Sequence, residues 1–487
     1  MRFQDWQGWR KKMSEAKRLH PIAAVISFLK GLKESILPLI VLLFVGRGDS
    51  GFSLWQLAIF FIFILVSLLS GILRWLRYTY RVEEGELRIE SGLFVKKKRY
   101  IPFERIQSLD FSEGILQRPF GLVKVKVETA SSSSSEAEVV LTAIKKSEAL
   151  AIQELLTSNK HSEKLEGLQS KQPVDEVIYK MTPTQLLILA STSGGAGVVI
   201  SGAIAFILQF DELIPYDLVV KQFKGLVANG VMFVSLVIFL VLLLAWVVSV
   251  VGTMIKYADF TVKKVEDDLI ISRGLLEKRQ LTVPLSRVQG IMIKENIIRQ
   301  PFGLCSVYLE SASGSLEKSD SSKALILPLI KKREVALILS RYFEDYLFTP
   351  NIVPAPKRAL RRYMFRSLIF PVLIIVIAFI FFRPWGYLTL LLIPISALWA
   401  YLCYKDAGWS LHQQQLTLTF RGLVKNTIFM KKSKIQSLTM WSSLFQDKTS
   451  LASIEASIIS GLGGSGGTVE DLENRDIIQI YNWYKRG

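Results

Sequence analysis

One segment of this chain is written three times, each time after a long apolar stretch. Residues 87–130 and 269–312 align without a gap at a shift of 182. Gly92 meets Gly274, Pro102 meets Pro284, Arg105 meets Arg287 and Gln107 meets Gln289. Pro119-Phe120-Gly121-Leu122 meets Pro301-Phe302-Gly303-Leu304. A looser third copy opens at Leu416 and carries Arg421-Gly422, Lys434-Ile435-Gln436-Ser437 and Ile454-Glu455-Ala456-Ser457. A repeat of this length is a folding unit, so the chain is a tandem array of one small domain.

The stretches between the copies are membrane-like. Residues 50–73, 181–210, 225–255 and 384–404 hold 24, 30, 31 and 21 consecutive uncharged residues. A helix crosses a hydrocarbon core of about 30 Å with roughly 20 residues. Residues 367–382 are fewer, but Arg366 and Arg383 flank them and can snorkel to the interfaces. Residues 21–45 read as a further span although Lys30, Lys33 and Glu34 interrupt them. The expected fold class is an α+β membrane protein with six transmembrane helices in three hairpins. Each hairpin is followed by a cytosolic β-rich domain.

The expected boundaries follow. A basic N-terminus covers 1–20, hairpins cover 21–77, 181–256 and 366–404, and domains cover 78–160, 257–348 and 405–487. Linkers fall at 161–180 and 349–365. The formal net charge is +18, and 54 of 60 Lys and Arg lie on one side if both termini are cytosolic. The positive-inside rule accounts for this charge, so nucleic acid is not an expected partner and a cytoplasmic membrane is the expected location. Cys305 and Cys403 both fall on that side and read as free thiols.

Within each copy the pattern alternates with period two, as in Val123-Lys124-Val125-Lys126-Val127. That is the mark of a half-buried antiparallel strand, and about seven short strands fit each copy. Helices are expected at 145–158, 331–347 and 476–485, and low-complexity loops at 131–135, 313–322 and 461–467. The last loop matches the spacing of a dinucleotide fingerprint, but no βαβ unit surrounds it.

Candidate sites are few. Lys96, Lys97, Lys98 and Arg99, then Lys145 and Lys146, then Lys331, Lys332 and Arg333 form basic clusters. The last two sit at expected helix starts, where cations plus backbone N–H groups suit a phosphate headgroup of an anionic leaflet. Lys30, Lys33 and Glu34 form a candidate intramembrane polar site, since ionisable groups in a span are costly and tend to be functional. Ser193, Gly197, Ser201 and Ala205 form a small-residue stripe suited to helix packing. Arg105 and Arg287 read as salt-bridge or strand-edge residues. His20, His161 and His412 stand apart, and no zinc spacing, P-loop or GxSxG is present. No catalytic residue, metal or cofactor is assigned.

The segments IPFERIQS (101–108), LQRPFGL (116–122) and VETA (127–130), matched by VPLSRVQG, IRQPFGL and LESA, resemble the core of the bacterial pleckstrin-homology-like (PH-like) domain. The arrangement of three hairpins with three such domains looks like the YdbT-type membrane proteins of Gram-positive bacteria. The resemblance implies a seven-stranded sandwich or barrel closed by a C-terminal helix. It also implies a non-enzymatic scaffold in envelope defence or antimicrobial-peptide resistance. The partner it implies is a smaller membrane protein with one such domain. The alternative is a transporter or lipid-handling protein gated by its PH-like domains. The third copy departs from the pattern, with Asp447-Lys448-Thr449-Ser450 where Arg-Pro-Phe-Gly stands in the first.

Overall fold

In a computed structural model the described residues are 15–45, 54–93, 95–129, 139–153, 176–195, 197, 200–201, 231–311, 323–381, 385–459 and 465–485. They form two compact units: Met1–Val174 with Ile270–Thr282, and Asp175–Leu269 with Val283–Gly487. The serine-rich loops at 131–135 and 313–322 lie outside the described residues, as does His161.

Among the described residues each copy contributes seven strands, and the first of the seven precedes the hairpin. In unit 1, β1 (Lys17–Arg18) pairs with β2 (Thr79–Glu83), with the helices Ile22–Val45 and Leu54–Arg77 between them. In unit 2, β8 (Glu176–Lys180) pairs with β9 (Thr261–Val265), and β15 (Val353–Pro354) with β16 (Gly408–His412). The hairpin is therefore an insertion between two neighbouring strands of one sheet. Its base is held by backbone hydrogen bonds at both ends. Two-residue strands such as Lys17–Arg18 carry no periodicity, so they escape a pattern reading.

In unit 1, β1-β2-β3-β4 form a four-stranded sheet, with β3 at Glu86–Ser91 and β4 at Lys97–Pro102. A second sheet faces it, made of β5 (Ile106–Glu113), β6 (Leu122–Thr129) and β7 (Val139–Lys145). Leu87, Ile89 and Ile101 of the first sheet pack with Leu109, Val125, Val127 and Leu141 of the second. Ile152, in a helix at 146–153, closes the sandwich. The recurring glycine after β3 is required by a turn. Gly92 has φ 123°, and a Cβ there would lie 1.9 Å from the Val95 carbonyl oxygen. Gly274 repeats this with φ 106° and 2.0 Å to the Glu277 oxygen, whereas Gly422 of the third copy meets nothing.

Sandwiches do not end at their own copy. In unit 1, β5 pairs with β11 (Lys278–Pro284) of the second copy, in the register Lys278↔Glu113 to Leu281↔Asp110. In unit 2, β12 (Val288–Glu295) pairs with β18 (Lys425–Lys431) of the third copy, from Gly290↔Met430 to Glu295↔Lys425. The result in unit 2 is one seven-stranded sheet, β14-β13-β12-β18-β17-β16-β15, with β13 at Leu304–Ser311, β14 at Lys323–Lys331 and β17 at Gln415–Arg421. Gly290 makes the joint possible, because a Cβ there would meet Ile458 Cδ1 at 2.8 Å and the Phe429 carbonyl oxygen at 3.1 Å.

The third copy ends in a three-stranded sheet of β19 (Ile435–Trp441), β20 (Leu451–Ile458) and β21 (Ser465–Glu473). It packs on β16–β18 through Trp409, Leu416, Ile428, Ile454 and Val469, and Ile477 and Ile480 of the helix Asn474–Lys485 seal the end. The loop expected at 461–467 stops short. Gly466 and Gly467 are strand residues opposite Ser457 and Ala456, where a Cβ on Gly466 would lie 2.0 Å from the Ala456 oxygen. The helix expected at 331–347 is also shorter, at Lys332–Leu339.

Among the described residues four helices are long and apolar enough to cross a membrane: Ala58–Arg77, Ile238–Tyr257, Ala359–Phe381 and Gly386–Asp406. Their apolar side chains mostly face outward, as lipid-facing helices require. The helix Ile22–Val45 packs on Leu54–Arg77 at Gly71, where a Cβ would meet the Ala24 oxygen at 3.0 Å. In the second hairpin only Pro183–Ser191 and a few residues beyond it are described on the outgoing side.

Candidate functional site

The P-F-G-L motif builds a turn. Gln300–Phe302 form a 3-10 turn that ends at Gly303 with φ 64°, a left-handed position that favours glycine. This aims the Gly303 carbonyl at the end of β14, where it accepts the Lys332 N–H at 2.8 Å. In the first copy Gly121, at φ 62°, accepts from the Lys146 N–H at 3.1 Å. The motif therefore pins each basic run beside the turn.

In unit 2 the run opens onto a cleft of about 1020 Å³. Lys331, Lys332 and Arg333 line one wall, and Lys405, Asp406 and Lys425 line the other, with Phe302, Phe348 and Phe429 between them. Lys332 is paired with Glu295 at 2.8 Å and Lys425 with Asp406 at 2.7 Å. Among the described residues Lys331, Arg333 and Lys405 have no ion pair, and all three are exposed. Lys405 and Asp406 end the helix Leu392–Asp406, so the cleft opens where an apolar helix ends. Five basic residues and one acid around a partly apolar cavity suit an anionic group that carries a hydrocarbon tail.

The cleft rests on a buried ion pair. Arg421 Nε donates to Asp406 Oδ2 at 2.5 Å, and Arg421 Nη2 donates to Gln300 Oε1 at 2.5 Å. The two charged side chains are 0% and 5% exposed. One group thus ties the helix end, the third copy and the 3-10 turn of the second. Cys305 is inert nearby: its Sγ–H donates to the Ile330 carbonyl, and burial pushes its pKa up to about 12.

The other basic clusters lie apart from this cleft. Lys97, Lys98 and Arg99 lie along the exposed edge strand β4, with Lys96 just before it, and Glu90 pairs with Lys96 at 2.6 Å and with Lys98 at 3.8 Å. Lys146 pairs with Glu113 at 2.5 Å, and Lys145 is the last residue of β7. Arg105 and Arg287 end 3-10 turns directly before β5 and β12, the strand-edge alternative of the expectation, and among the described residues neither is in a salt bridge. Lys30 and Glu34 stand 3.8 Å apart with 75% and 67% of their side chains exposed, and Lys33 lies one turn along the same helix. His20 Nδ1 accepts the Ile22 N–H, and no cluster of metal-ligating residues exists among the described residues.

Ser193 of the small-residue stripe and Gly195 beside it both face the returning helix. A Cβ on Gly195 would lie 2.4 Å from Ser249 Oγ, and Ser193 Oγ is 3.3 Å from Thr253 Oγ1. A Cβ on Gly197 would meet nothing within 4 Å, Ser201 is exposed, and Ala205 lies outside the described residues. Gly195→Leu should therefore destabilise the second hairpin by about 1–3 kcal/mol through overpacking. Gly197→Leu should cost less, because no described atom lies within 4 Å of the Cβ position there, and thermal denaturation in detergent separates the two.

Sequence reasoning missed one position altogether. Residues 117, 299 and 446 coincide under the repeat shifts, and all three are buried and polar. Arg299 donates to Thr192 Oγ1 at 2.7 Å, the Leu189 carbonyl at 3.1 Å and Ser306 Oγ at 3.2 Å, which binds the domain to the end of Pro183–Ser191. Gln446 donates to Asp471 Oδ1 at 2.8 Å, and Asp471 also accepts from Arg362 of the helix Ala359–Phe381 at 2.6 Å. Gln117 accepts the Gly114 N–H and donates to the Thr142 carbonyl. The available signal was polarity three times at one register position.

These features define a membrane protein in which PH-like sandwiches are fused to helical hairpins. The chain belongs to the bacterial PH domain family, whose model matches residues 34–160, 214–345 and 368–487. It is 39% identical over 489 residues to the UPF0699 transmembrane protein YdbT of Bacillus subtilis (strain 168), covering 97% of this chain and 98% of that one. It is 38% identical over 58 residues to the UPF0699 transmembrane protein YdbS of the same organism, covering 12% of this chain and 36% of that one. No solved structure matches the chain.

Proposed function

We propose that this chain is a non-catalytic scaffold of the cell membrane, with six spans and cytosolic termini, that docks an anionic lipid headgroup between its second and third PH-like copies. The observation that carries this reading is the cationic cleft at the end of Leu392–Asp406, with Lys331, Arg333 and Lys405 in no ion pair among the described residues. The shared sheet supports the scaffold role, because a six-residue ladder between copies resists bending where a flexible linker would not. The basic excess on the domain side supports the orientation.

The test uses the full-length protein in neutral detergent. Short-chain phosphatidylglycerol, short-chain phosphatidylcholine and inorganic phosphate are titrated separately. Phosphatidylglycerol should bind best. Replacing Lys331, Arg333 and Lys405 with alanine should weaken it at least 100-fold at low salt, since each cation is worth about 1 kcal/mol near a surface. Equal binding of both lipids, or an unchanged triple variant, would sink the proposal. Preference for inorganic phosphate would instead assign the cleft to a soluble anion.

A further inference from the structure

Among the described residues two sheets are incomplete, with no strand paired to one edge of each, and they are complementary. The complete sheet of unit 2 contains three strands from the end of one copy, β12–β14, and four from the start of the next, β15–β18. The third copy ends in three strands, β19–β21, with β19 at the open edge. The first copy begins with four, β1–β4, with β4 at the open edge. β19 occupies the place of β5 and β12 in the repeat, and β4 occupies the place of β11 and β18. Both internal joints unite strands of these two kinds.

We propose that β19 of one chain pairs antiparallel with β4 of a second copy, so that the chains assemble head to tail through a third joint of the same design.

Burial supports the vacancy of both edges. In β12 every residue but Lys294 is buried, whereas five of the seven in β19 are exposed. Met440 and Trp441 are 38% and 39% exposed. In β18 Ile428, Phe429 and Met430 are buried, whereas Lys97, Lys98, Arg99 and Tyr100 of β4 are exposed. An open strand edge is a template for another chain, and proteins that need no partner blunt it with charge. β19 carries no charged residue at all.

Charge also selects the orientation. The lysines of β4 repel a second β4, so the edge is closed to itself. Against uncharged β19 there is no such penalty. The internal joints share one register, since Glu113↔Lys278 and Glu295↔Lys425 coincide under the repeat shifts. Carried to the third joint, it sets Leu438 opposite Tyr100, Thr439 opposite Arg99 and Trp441 opposite Lys97. The last pair brings a cation to an indole face. A separate chain with a single PH-like domain is the competing occupant of β19. The second copy is favoured because this chain exposes the missing four-stranded half itself, one for every open β19.

A heterologous joint closes into a ring or runs on as a filament, so the assembly is read by connectivity rather than by symmetry. Full-length chains carrying Arg99→Cys or Thr439→Cys, each with Cys403→Ser, are co-expressed, and isolated membranes are oxidised. Each chain then has one accessible thiol, because Cys305 is buried. Opposed residues have Cα atoms about 4.5–5.5 Å apart, within reach of a disulfide. A band at twice the 55.1 kDa chain mass is expected. Lys97→Cys with Gln436→Cys sits five residues out of register, about 17 Å apart, and should give none. Without cysteines added, the gently extracted parent should run larger than one chain. Three results overturn the proposal: no 99–439 cross-link, cross-linking of Thr439→Cys chains to one another, or a single extracted copy whose β19 is held by a smaller chain.

Discussion

Asp406→Ala should destabilise unit 2 by about 3–5 kcal/mol, the largest loss expected from any single side chain of the cleft. The reason is the charge it abandons. Arg421 has a fully buried side chain and donates to Asp406, and its Nη1 already has no hydrogen-bond partner among the described residues. Removing the acid leaves a cation with no counter-charge and no route to water. The double variant Asp406→Ala with Arg421→Met should recover most of the loss, because replacing both members of a buried pair with apolar groups is nearly neutral. Denaturant unfolding in detergent measures both. The same single substitution should strengthen binding of phosphatidylglycerol, since Asp406 is the only acid lining the cleft among the described residues. Stability and affinity then move in opposite directions. A fall in both would show that the cleft needs Asp406 for its shape.

Arg299→Ala should cost about 3 kcal/mol and free the base of the second hairpin. Its guanidinium makes three hydrogen bonds, two of them to Leu189 and Thr192 at the end of Pro183–Ser191. Hydrogen bonds to a charged group contribute about 1.5–3 kcal/mol each, and here the partners left behind are half-buried or buried. Burial already depresses the pKa of this arginine, so its partners are what keep it in place. Hydrogen exchange at residues 189–192 should quicken while the sheet β12–β14 stays protected. Arg299→Gln should lose less than Ala, because glutamine fills the same position in the other two copies. An Ala variant with unchanged exchange would mean the hairpin is held by β8–β9 alone.

Much of this molecule was legible from pattern. The gapless alignment of 87–130 with 269–312 foretold strands, turns and the shared role of Gly92 and Gly274, because turn geometry is a local demand. Apolar length foretold the long apolar helices Ala58–Arg77 and Ile238–Tyr257, because the bilayer acts on each helix separately. Lys331, Lys332 and Arg333 read as a basic cluster from their own run. Lys405 and Lys425 did not, since they come from a helix end and a strand of the next copy, 74 and 94 residues beyond Lys331. The stripe containing Ser193 and Gly197 was visible, but that Gly195 beside it touches Ser249 depends on how the two helices pack.

The sequence by itself determined the count of domains, their β character and the apolar helices between them. Each of these follows from composition and short-range periodicity. Only the tertiary structure decided that β1, β8 and β15 stand on the far side of their hairpins, and that β5 and β12 reach into the next copy. Strand pairing is made by backbone N–H and C=O groups, which are the same in every residue but proline. Side-chain pattern tells which face of a strand is buried. It does not tell which edge finds a neighbour, and the edges are what join these copies and leave β4 and β19 open.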